Sequence, residues 1–248
     1  MLGILINTYN DSSLLRRALR DLFASYNGPY YLWIDDDGSA IEERRAIQKL
    51  SDRYGACLTH SPQKKLRIGP YSIVRELEIF NELGKRGVDR ILKIDPDTTI
   101  YSPAALRGPH DADLYGFKKY ININESSYKR MMYYFHEGGL DFCDLVTYCQ
   151  GGFYIIKPAL VNRILQSESW DKYLSIFETL NCDVPEDRLL ALLAHATGGS
   201  IKYWNVGFFH GAKTPIEYFT RRMAALFPFV APLFHRLSKV GFLIRARQ

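Results

Sequence analysis

Residues 2–23, LGILINTYNDSSLLRRALRDLF, decide the fold class, because an apolar strand pattern passes directly into an amphipathic helix pattern. The run at 2–7 is almost entirely apolar, which is typical of a central strand. Leucines then recur at helical spacing with arginines on the other face, as in a helix that covers a sheet. A second such unit follows in residues 30–59. The first sixty residues therefore predict β-α-β-α-β and a parallel, helix-covered sheet.

Composition indicates a folded chain of one domain, with or without an appendage. Of its 248 residues, 47% are hydrophobic and 24% are charged. The net charge of +5 is mild, and it suits an anionic ligand or membrane surface without indicating nucleic acid. The four cysteines form no C-x-x-C pair, which predicts reduced thiols and a cytosolic setting. No long uncharged apolar run is present, so no membrane-spanning helix is predicted.

Polar loops follow three predicted strands: Thr8-Tyr9-Asn10, residues 35–39 (DDDGS) and residues 95–98 (DPDT). In a parallel sheet these loops share one edge, and ligands of open α/β sheets bind there. The third strand ends in Asp95 and Asp97, and burying an unpaired carboxylate is costly. Two carboxylates at this spacing can reach one hard cation, Mn²⁺ or Mg²⁺. The alternative is an ordinary surface turn, in which Asp and Pro are common.

Basic residues near this edge are candidates for contact with a diphosphate. The loop at 61–70 carries Lys64 and Arg67, which either contact a diphosphate or belong to a solvated turn. Arg75 lies in the predicted helix at 71–83. It either faces the ligand or pairs with a neighbouring glutamate.

Two glycines precede a predicted strand at 153–156. Gly151 and Gly152 allow backbone to approach a ligand closely, although paired glycines also form simple bulges. Residues 120–144 are aromatic and predicted to be irregular, either as a lid or acceptor loop or as a packed connection.

A predicted helix at 183–195 begins with two acids, Glu186 and Asp187. The helix dipole stabilises acids in a first turn, so these residues are either structural or catalytic carboxylates. His210, between Phe209 and Gly211, is a candidate third metal ligand, although a lone histidine is usually structural.

With these residues in hand, the chain resembles GT-A glycosyltransferases, which use nucleotide-sugar donors. INTYND and WIDDDGS look like the start of family 2 enzymes, where a Thr/Pro-x-Asn turn and a D-D-G-S turn hold the nucleoside. Asp95-Pro96-Asp97 looks like their metal-binding D-x-D motif. The resemblance covers about residues 2–215 in order. The residues that it assigns to the nucleoside are Thr8, Asn10, Asp36 and Asp37.

Two later motifs extend the resemblance. Glu186-Asp187 is similar to the E-D motif of family 2, which implies that Asp187 is the catalytic base of an inverting enzyme with Glu186 beside it. Residues 210–215, HGAKTP, look like a shortened H-x-x-G-x-x-K-P element of retaining family 8 enzymes. That match implies a metal ligand at His210 and a diphosphate ligand at Lys213.

The resemblance implies a mostly parallel α/β GT-A fold and a hexosyltransferase-like enzyme that requires Mn²⁺ or Mg²⁺. The donor would be a nucleotide diphosphate sugar, with UDP-sugars favoured. The acceptor would be a glycan or a lipid-linked hydroxyl in polysaccharide or glycolipid synthesis, with inversion favoured over retention. The alternatives are a nucleotidyltransferase and a non-catalytic nucleotide-sugar binding protein. A nucleotidyltransferase would have a glycine-rich loop with Arg or Lys after the first strand, whereas residues 8–13 contain neither glycine nor a basic residue.

The last 31 residues, 218–248, differ from the predicted GT-A catalytic domain at 1–217. They contain six Lys or Arg residues and no acid, interleaved with large apolar side chains. This pattern predicts a basic amphipathic helical tail that binds the anionic inner face of a membrane from the cytoplasm. An oligomer interface or a helix packed on the domain are the alternatives.

Overall fold

The computed structural model describes residues 1–61, 69–139, 147–180 and 184–226. The strands are β1 (Leu2–Thr8), β2 (Tyr30–Asp36), β3 (Cys57–His60), β4 (Arg90–Ile94), β5 (Thr99–Ile100), β6 (Leu114–Tyr120), β7 (Thr147–Ile156), β8 (Ile201–Tyr203) and β9 (Phe208–Phe209). The helices are α1 (Ser12–Ser25), α2 (Ile41–Tyr54), α3 (Gly69–Lys85), α4 (Ser126–Glu137), α5 (Pro158–Leu165), α6 (Trp170–Leu180), α7 (Glu186–Ala196) and α8 (Pro215–Leu226). A 3₁₀ turn spans Pro103–Arg107.

The main sheet has seven strands in the order β3-β2-β1-β4-β7-β6-β8. β1, β2, β3 and β4 are parallel to one another, whereas β7 is antiparallel to both of its neighbours, β4 and β6. β8 is parallel to β6. Within the described part of the chain β7 is thus the one reversed strand of a mostly parallel sheet. β5 and β9 form a separate antiparallel pair.

Strand alternation divides the core into two layers, one on each face of the sheet. Ile4 and Ile6 of β1 pack with α1 and α2, while Leu5 faces the layer formed with α3, α5 and α7. β4 alternates in the same way, with Leu92 on the first face and Ile91 on the second. Full burial of each such side chain stabilises the fold by about 1.5–3 kcal/mol.

The predicted parallel start of the sheet and the shared edge of its polar loops are confirmed. Asn7 pairs with Asp35 across β1 and β2, and Ile6 pairs with Ile94 across β1 and β4. The residues that follow these positions therefore emerge side by side. Asp95 directly follows β4 at this edge.

Two segments differ from their predictions. Residues 120–144 contain the regular helix α4, which the sequence SSYKRMMYYFHE forms by burying Met131 and Phe135. β7 starts at Thr147, so the two glycines lie inside the strand and do not precede it. The helix α6 was not predicted at all.

Several predictions concern residues outside the described ranges. Lys64 and Arg67 lie there, as do Cys143, Cys182 and the tail from 227 onward. Cys57 and Cys149 are free thiols. None of the helices in the described part of the chain combines the length and apolar character that crossing a bilayer requires.

The helix α8 crosses the boundary drawn between residues 217 and 218. Its Tyr218 lies under the guanidinium of Arg17, 4.8 Å from the ring centroid, and donates a 3.2 Å hydrogen bond to Asp21 of α1. Thr220 is also buried. The predicted tail thus begins inside α8, where Tyr218 and Thr220 pack on the domain.

Candidate active site

Asp95, Asp97 and His210 form a cluster at the carboxyl edge of the sheet. One ligand atom from each lies within 4.8 Å of the others. His210 Nδ1 lies 3.0 Å from Asp97 Oδ1 and 3.1 Å from Thr98 Oγ1. Two carboxylates and one imidazole fit a divalent ion such as Mn²⁺, because carboxylates suit Mg²⁺ and Mn²⁺ and imidazole suits transition metals.

The turn after β4 is fixed by β7. Asp95 N donates to Gly152 O at 3.3 Å, Thr98 N donates to Asp95 O at 3.0 Å, and Thr98 Oγ1 also donates to Gly152 O. Burial tends to raise the pKa of Asp97, but its contact with His210 and the charge of Lys213 outweigh burial, and the pKa lies below its ordinary value. Asp97 is therefore held as an anion.

Gly152 makes room for His210. A Cβ at position 152 would lie 2.2 Å from His210 Nδ1, so the imidazole covers the bare backbone of β7. This close approach explains why glycine stands at that point of a buried strand. β9, which precedes His210, is anchored by Phe208, whose ring stacks on Phe153 with centroids 3.7 Å apart.

A buried lysine lies below the metal candidates. Lys93 Nζ donates to Asp95 Oδ1 and Gly151 O, both at 2.7 Å, and lies 3.7 Å from Glu76 Oε1 and 4.0 Å from Glu186 Oε1. The pKa of Lys93 is raised: burial acts to lower it, but Asp95 and the two glutamates outweigh burial. Lys93 is thus a fixed cation between the metal candidates and the acids of α7.

Glu76 of α3 is completely buried beside this lysine. It accepts hydrogen bonds from Asn7 Nδ2 at 2.6 Å and from Tyr154 OH at 2.7 Å. Burial raises its pKa to about 7, although Lys93 opposes the shift. Sequence analysis missed Glu76 and Lys93 as site residues. The position of Lys93 on the same face of β4 as Ile91 is the signal that indicates its burial.

The acid pair at the start of α7 divides into two environments. Glu186 lines the cleft, whereas Asp187 is buried and its Oδ2 accepts a 2.9 Å hydrogen bond from Gly151 N. Burial, followed by repulsion from Glu186, raises the pKa of Asp187 to about 6. Asp187 thereby fixes the strand that faces the metal candidates.

The protein-family models and the curated protein sequences gave no match to this chain. Similar solved structures are glycosyltransferases. A mannosyltransferase from Pyrobaculum calidifontis, in complex with GDP-mannose and Mn²⁺, has a TM-score of 0.51 at 12% identity over 94% of this chain and 68% of that one. Core-mannan synthase A from Aspergillus fumigatus, in a Mn/GDP form, has a TM-score of 0.51 at 10% identity, and the match covers 84% of this chain and 74% of that one. The galactosyltransferase LgtC, with donor and acceptor sugar analogues, has a TM-score of 0.50 at 14% identity, and the match covers 82% of this chain and 73% of that one.

This chain has the GT-A fold. At such low identities the likeness establishes the fold, while the chemistry must be argued from the residues of the site. A cleft of about 370 Å³ opens at the carboxyl edge of the GT-A sheet. That volume lies within the usual range for small-molecule sites.

On the β1–β2 side of the cleft, Thr8 and Asp37 line the wall as the resemblance implies. Asp36 does not, because it is fully buried and bonded to Ser39 and to His60 Nδ1, the latter at 2.9 Å. The carboxylate beside Asp37 on the cleft wall is Asp35. It was not predicted as a site residue.

Asn10 has a structural role in the loop after β1. Its backbone adopts a φ of 52°, and its Oδ1 accepts a 2.8 Å hydrogen bond from Ala40 N at the start of α2. Arg75 lines the cleft and donates a 3.1 Å hydrogen bond to Asp35. Lys213 lines it near Asp97. The structure therefore places Arg75 and Lys213 in the same cleft as Asp95 and Asp97, and Asn10 in support of the loop.

Proposed function

We propose that the protein is a divalent-metal-dependent glycosyltransferase that moves a sugar from a nucleoside diphosphate sugar to an acceptor hydroxyl. The observation that carries this proposal is the convergence of Asp95, Asp97 and His210 on the carboxyl edge of a GT-A sheet. Two of the similar structures were solved with Mn²⁺ and a guanine nucleotide, which supports the same assignment.

The residues of the cleft suit departure of a nucleoside diphosphate. A metal ion on the three ligands would neutralise the diphosphate charge that develops as the glycosidic bond breaks. Lys213 adds a second positive charge beside Asp97, and Arg75 adds a third on the β2 side of the cleft. Charges fixed in place before the reaction stabilise the transition state without reorganisation.

The acid pair of α7 supplies the general base in this proposal, and an inverting reaction is favoured. The family resemblance implies that Asp187 is the base, but Glu186 is the member of the pair that lines the cleft. We expect Glu186→Gln to reduce transfer at least 100-fold with unchanged affinity for the donor. If Glu186→Gln transfers sugar at the wild-type rate and Asp187→Asn does not transfer it, then Asp187 is the general base.

The nucleotide of the sugar donor is to be determined by experiment. Sequence favours UDP-sugars, and the guanine nucleotides of two similar structures make GDP-mannose the first competitor. The assay measures Mn²⁺-dependent release of UDP, GDP or TDP from the corresponding sugars, and NMR of the fresh product determines inversion or retention.

Matched variants make that assay specific. We expect Asp97→Asn and His210→Ala to reduce turnover at least 100-fold. Asp111→Asn, at an exposed aspartate paired with Lys202, serves as the control for loss of one carboxylate. Pyrophosphate release from a nucleoside triphosphate and a sugar phosphate would instead indicate a nucleotidyltransferase. Tight Mn²⁺-dependent binding without product would indicate a binding protein.

We also propose that the chain works on a membrane surface with a lipid-linked or cell-surface glycan acceptor. α8 exposes 62% of Ile216 and 58% of Phe219 next to Arg221, which suits contact with an anionic bilayer. Truncation after residue 226 keeps α8 and removes the rest of the basic tail. Sedimentation with phosphatidylglycerol vesicles should then fall several-fold, whereas unchanged sedimentation together with loss of a dimer on a sizing column would assign the tail to an oligomer interface.

A further inference from the structure

Residues 210–214, which we call the ligand segment, carry the proposed ligands His210 and Lys213 between two regular elements. β9 ends at Phe209 and α8 begins at Pro215, so the segment connects a very short strand to a helix. Gly211 adopts a φ of 85°, which glycine reaches without a steric penalty. A connection of this kind keeps its ligands in place only if other residues fix its backbone.

Glu217, in the first turn of α8, accepts two backbone hydrogen bonds from the ligand segment. Its Oε2 accepts from Lys213 N at 3.0 Å and from Thr214 N at 2.9 Å. Glu217 N donates to Thr214 Oγ1 at 3.2 Å, so Thr214 and Glu217 form a capping box. The capping box requires only the bonds between these two residues. The bond to Lys213 N is additional, and it fixes the backbone of the proposed diphosphate ligand.

Two arginines bind the carbonyl oxygens of the same segment. Arg221 of α8 donates to His210 O, and Arg17 of α1 donates to Ala212 O. Arg221 lies about one helical turn after Glu217, so both side chains lie on the same face of α8. That face of α8 is therefore turned toward the ligand segment.

We propose that Glu217 and Arg221 are positioning residues, which hold the metal ligand His210 and the diphosphate ligand Lys213 by their backbones. The inference rests on the proposed glycosyl transfer, and it gives α8 a part in that reaction. Lys213 lines the cleft, whereas Glu217 and Arg221 do not, so these two act through the segment and not on the donor. Because the hold is on the backbone, the imidazole and the ammonium stay free to bind.

The test removes each of the two holds in turn. Glu217→Ala removes both acceptor bonds, and Arg221→Met removes the donor to His210 O. We expect each variant to weaken Mn²⁺ binding in the presence of UDP or GDP by about tenfold, as loss of support for a metal ligand generally does. The KM for the sugar donor should rise as well, since a displaced Lys213 binds the diphosphate less well. Electron paramagnetic resonance of free Mn²⁺ measures the affinity.

Two matched variants separate positioning from loss of charge. Glu217→Gln should bind Mn²⁺ like the wild type, because both bonds end on one oxygen and glutamine keeps one. Arg222→Met removes a neighbouring arginine of α8 that contacts Asp21 and Tyr218 and should also leave Mn²⁺ affinity unchanged. Circular dichroism and urea unfolding check that every variant is folded.

Amide hydrogen exchange gives a readout that needs neither metal nor donor. By NMR, the amides of Lys213 and Thr214 should exchange slowly in the wild type and in Glu217→Gln, and much faster in Glu217→Ala. The bonds to Glu217 protect these amides, so unchanged exchange in Glu217→Ala would overturn the proposal.

The metal measurements can also refute it. Wild-type Mn²⁺ affinity in both Glu217→Ala and Arg221→Met would do so, and so would an equal loss in Glu217→Gln or Arg222→Met. If Asp97→Asn failed to weaken Mn²⁺ binding, the proposed function would be contradicted instead. The exchange comparison would then still decide whether Glu217 holds the ligand segment.

Discussion

Gly152 leaves a space above β7 that the His210 imidazole fills, so a residue without a side chain determines where a metal candidate lies. Sequence analysis identified both residues, but it could not pair them, because 58 positions separate them in the chain. Lys93 and Glu76 were missed for a related reason. A charged residue in a strand or helix pattern is ordinarily solvated, and only the three-dimensional neighbours of these two make burial tolerable.

Substitution of Gly152 tests the placement of His210. In Gly152→Ala the new Cβ would displace the imidazole, and we expect affinity for Mn²⁺ in the presence of UDP or GDP to fall at least tenfold. Isothermal titration calorimetry measures this change. Gly151→Ala is the matched control, because its Cβ meets the end of the flexible Glu186 side chain. Equal affinity for Mn²⁺ in the two variants would contradict the proposed ligand set.

Lys93 gives a stability prediction. Lys93→Met removes the cation that Asp95, Glu76 and Glu186 share, and we expect the free energy of unfolding to fall by about 3–5 kcal/mol in urea titrations. The addition of Glu76→Gln should restore part of that loss, because it removes the buried carboxyl left without its cation. Lys85→Met breaks an exposed pair with Glu82 and should change stability by less than about 1 kcal/mol. If Lys93→Met and Lys85→Met lowered the free energy of unfolding by similar amounts, the buried lysine would have no special role in stability.

The elements predicted from sequence are those whose local pattern agrees with their burial. β1, β2 and α2 have clear periodicity and were placed to within about two residues. α4 was missed although its buried residues recur at helical spacing, at Tyr128, Met131, Met132 and Phe135, because the aromatic Tyr133 and Tyr134 between them obscure the pattern. β9 has two residues and no periodicity to detect. It nevertheless positions His210.

The anchoring of β9 leads to a prediction for that short strand. Phe208→Ala removes the ring stacked on Phe153, and we expect a loss of about 3–5 kcal/mol in unfolding free energy, with weaker Mn²⁺ binding because β9 is released. Phe209→Ala, at a half-buried ring on the same strand, should have a smaller effect on the unfolding free energy and on Mn²⁺ affinity. Calorimetry and urea unfolding measure the two quantities. Retention of Mn²⁺ affinity in Phe208→Ala would show that His210 does not depend on this anchor.

At the scale of the whole molecule, two buried carboxyls, Asp187 and Glu76, oppose the usual gain of stability with rising pH. The pKa of Asp187 is raised to about 6 and that of Glu76 to about 7, above ordinary values of 3.8 and 4.5. A carboxyl that holds its proton more tightly when folded stabilises the protein below its unfolded pKa. That contribution is lost as pH rises through the folded pKa. Asp97 and Asp113, whose pKa values are lowered, act in the opposite sense.

The difference between Asp187→Asn and the wild type isolates one of these carboxyls. We expect the variant to gain stability relative to the wild type as pH rises from 4 to 7, by up to about 3 kcal/mol. Urea unfolding at pH 4, 5, 6 and 7 measures the difference. Asp171→Asn, at an exposed residue of α6, controls for the loss of one negative charge. A pH-independent difference for Asp187→Asn would contradict the raised pKa.

The antiparallel pairing of β5 with β9 has a consequence for folding kinetics. The hydrogen bond between Thr98 and His210 joins positions 112 residues apart, and contacts of such long range form only after large loops have closed. The proposed metal ligands therefore come together only once nearly all of the described chain has folded. Mn²⁺ added during refolding should bind with the slowest phase, so metal binding would report completion of the fold and not the formation of its first strands.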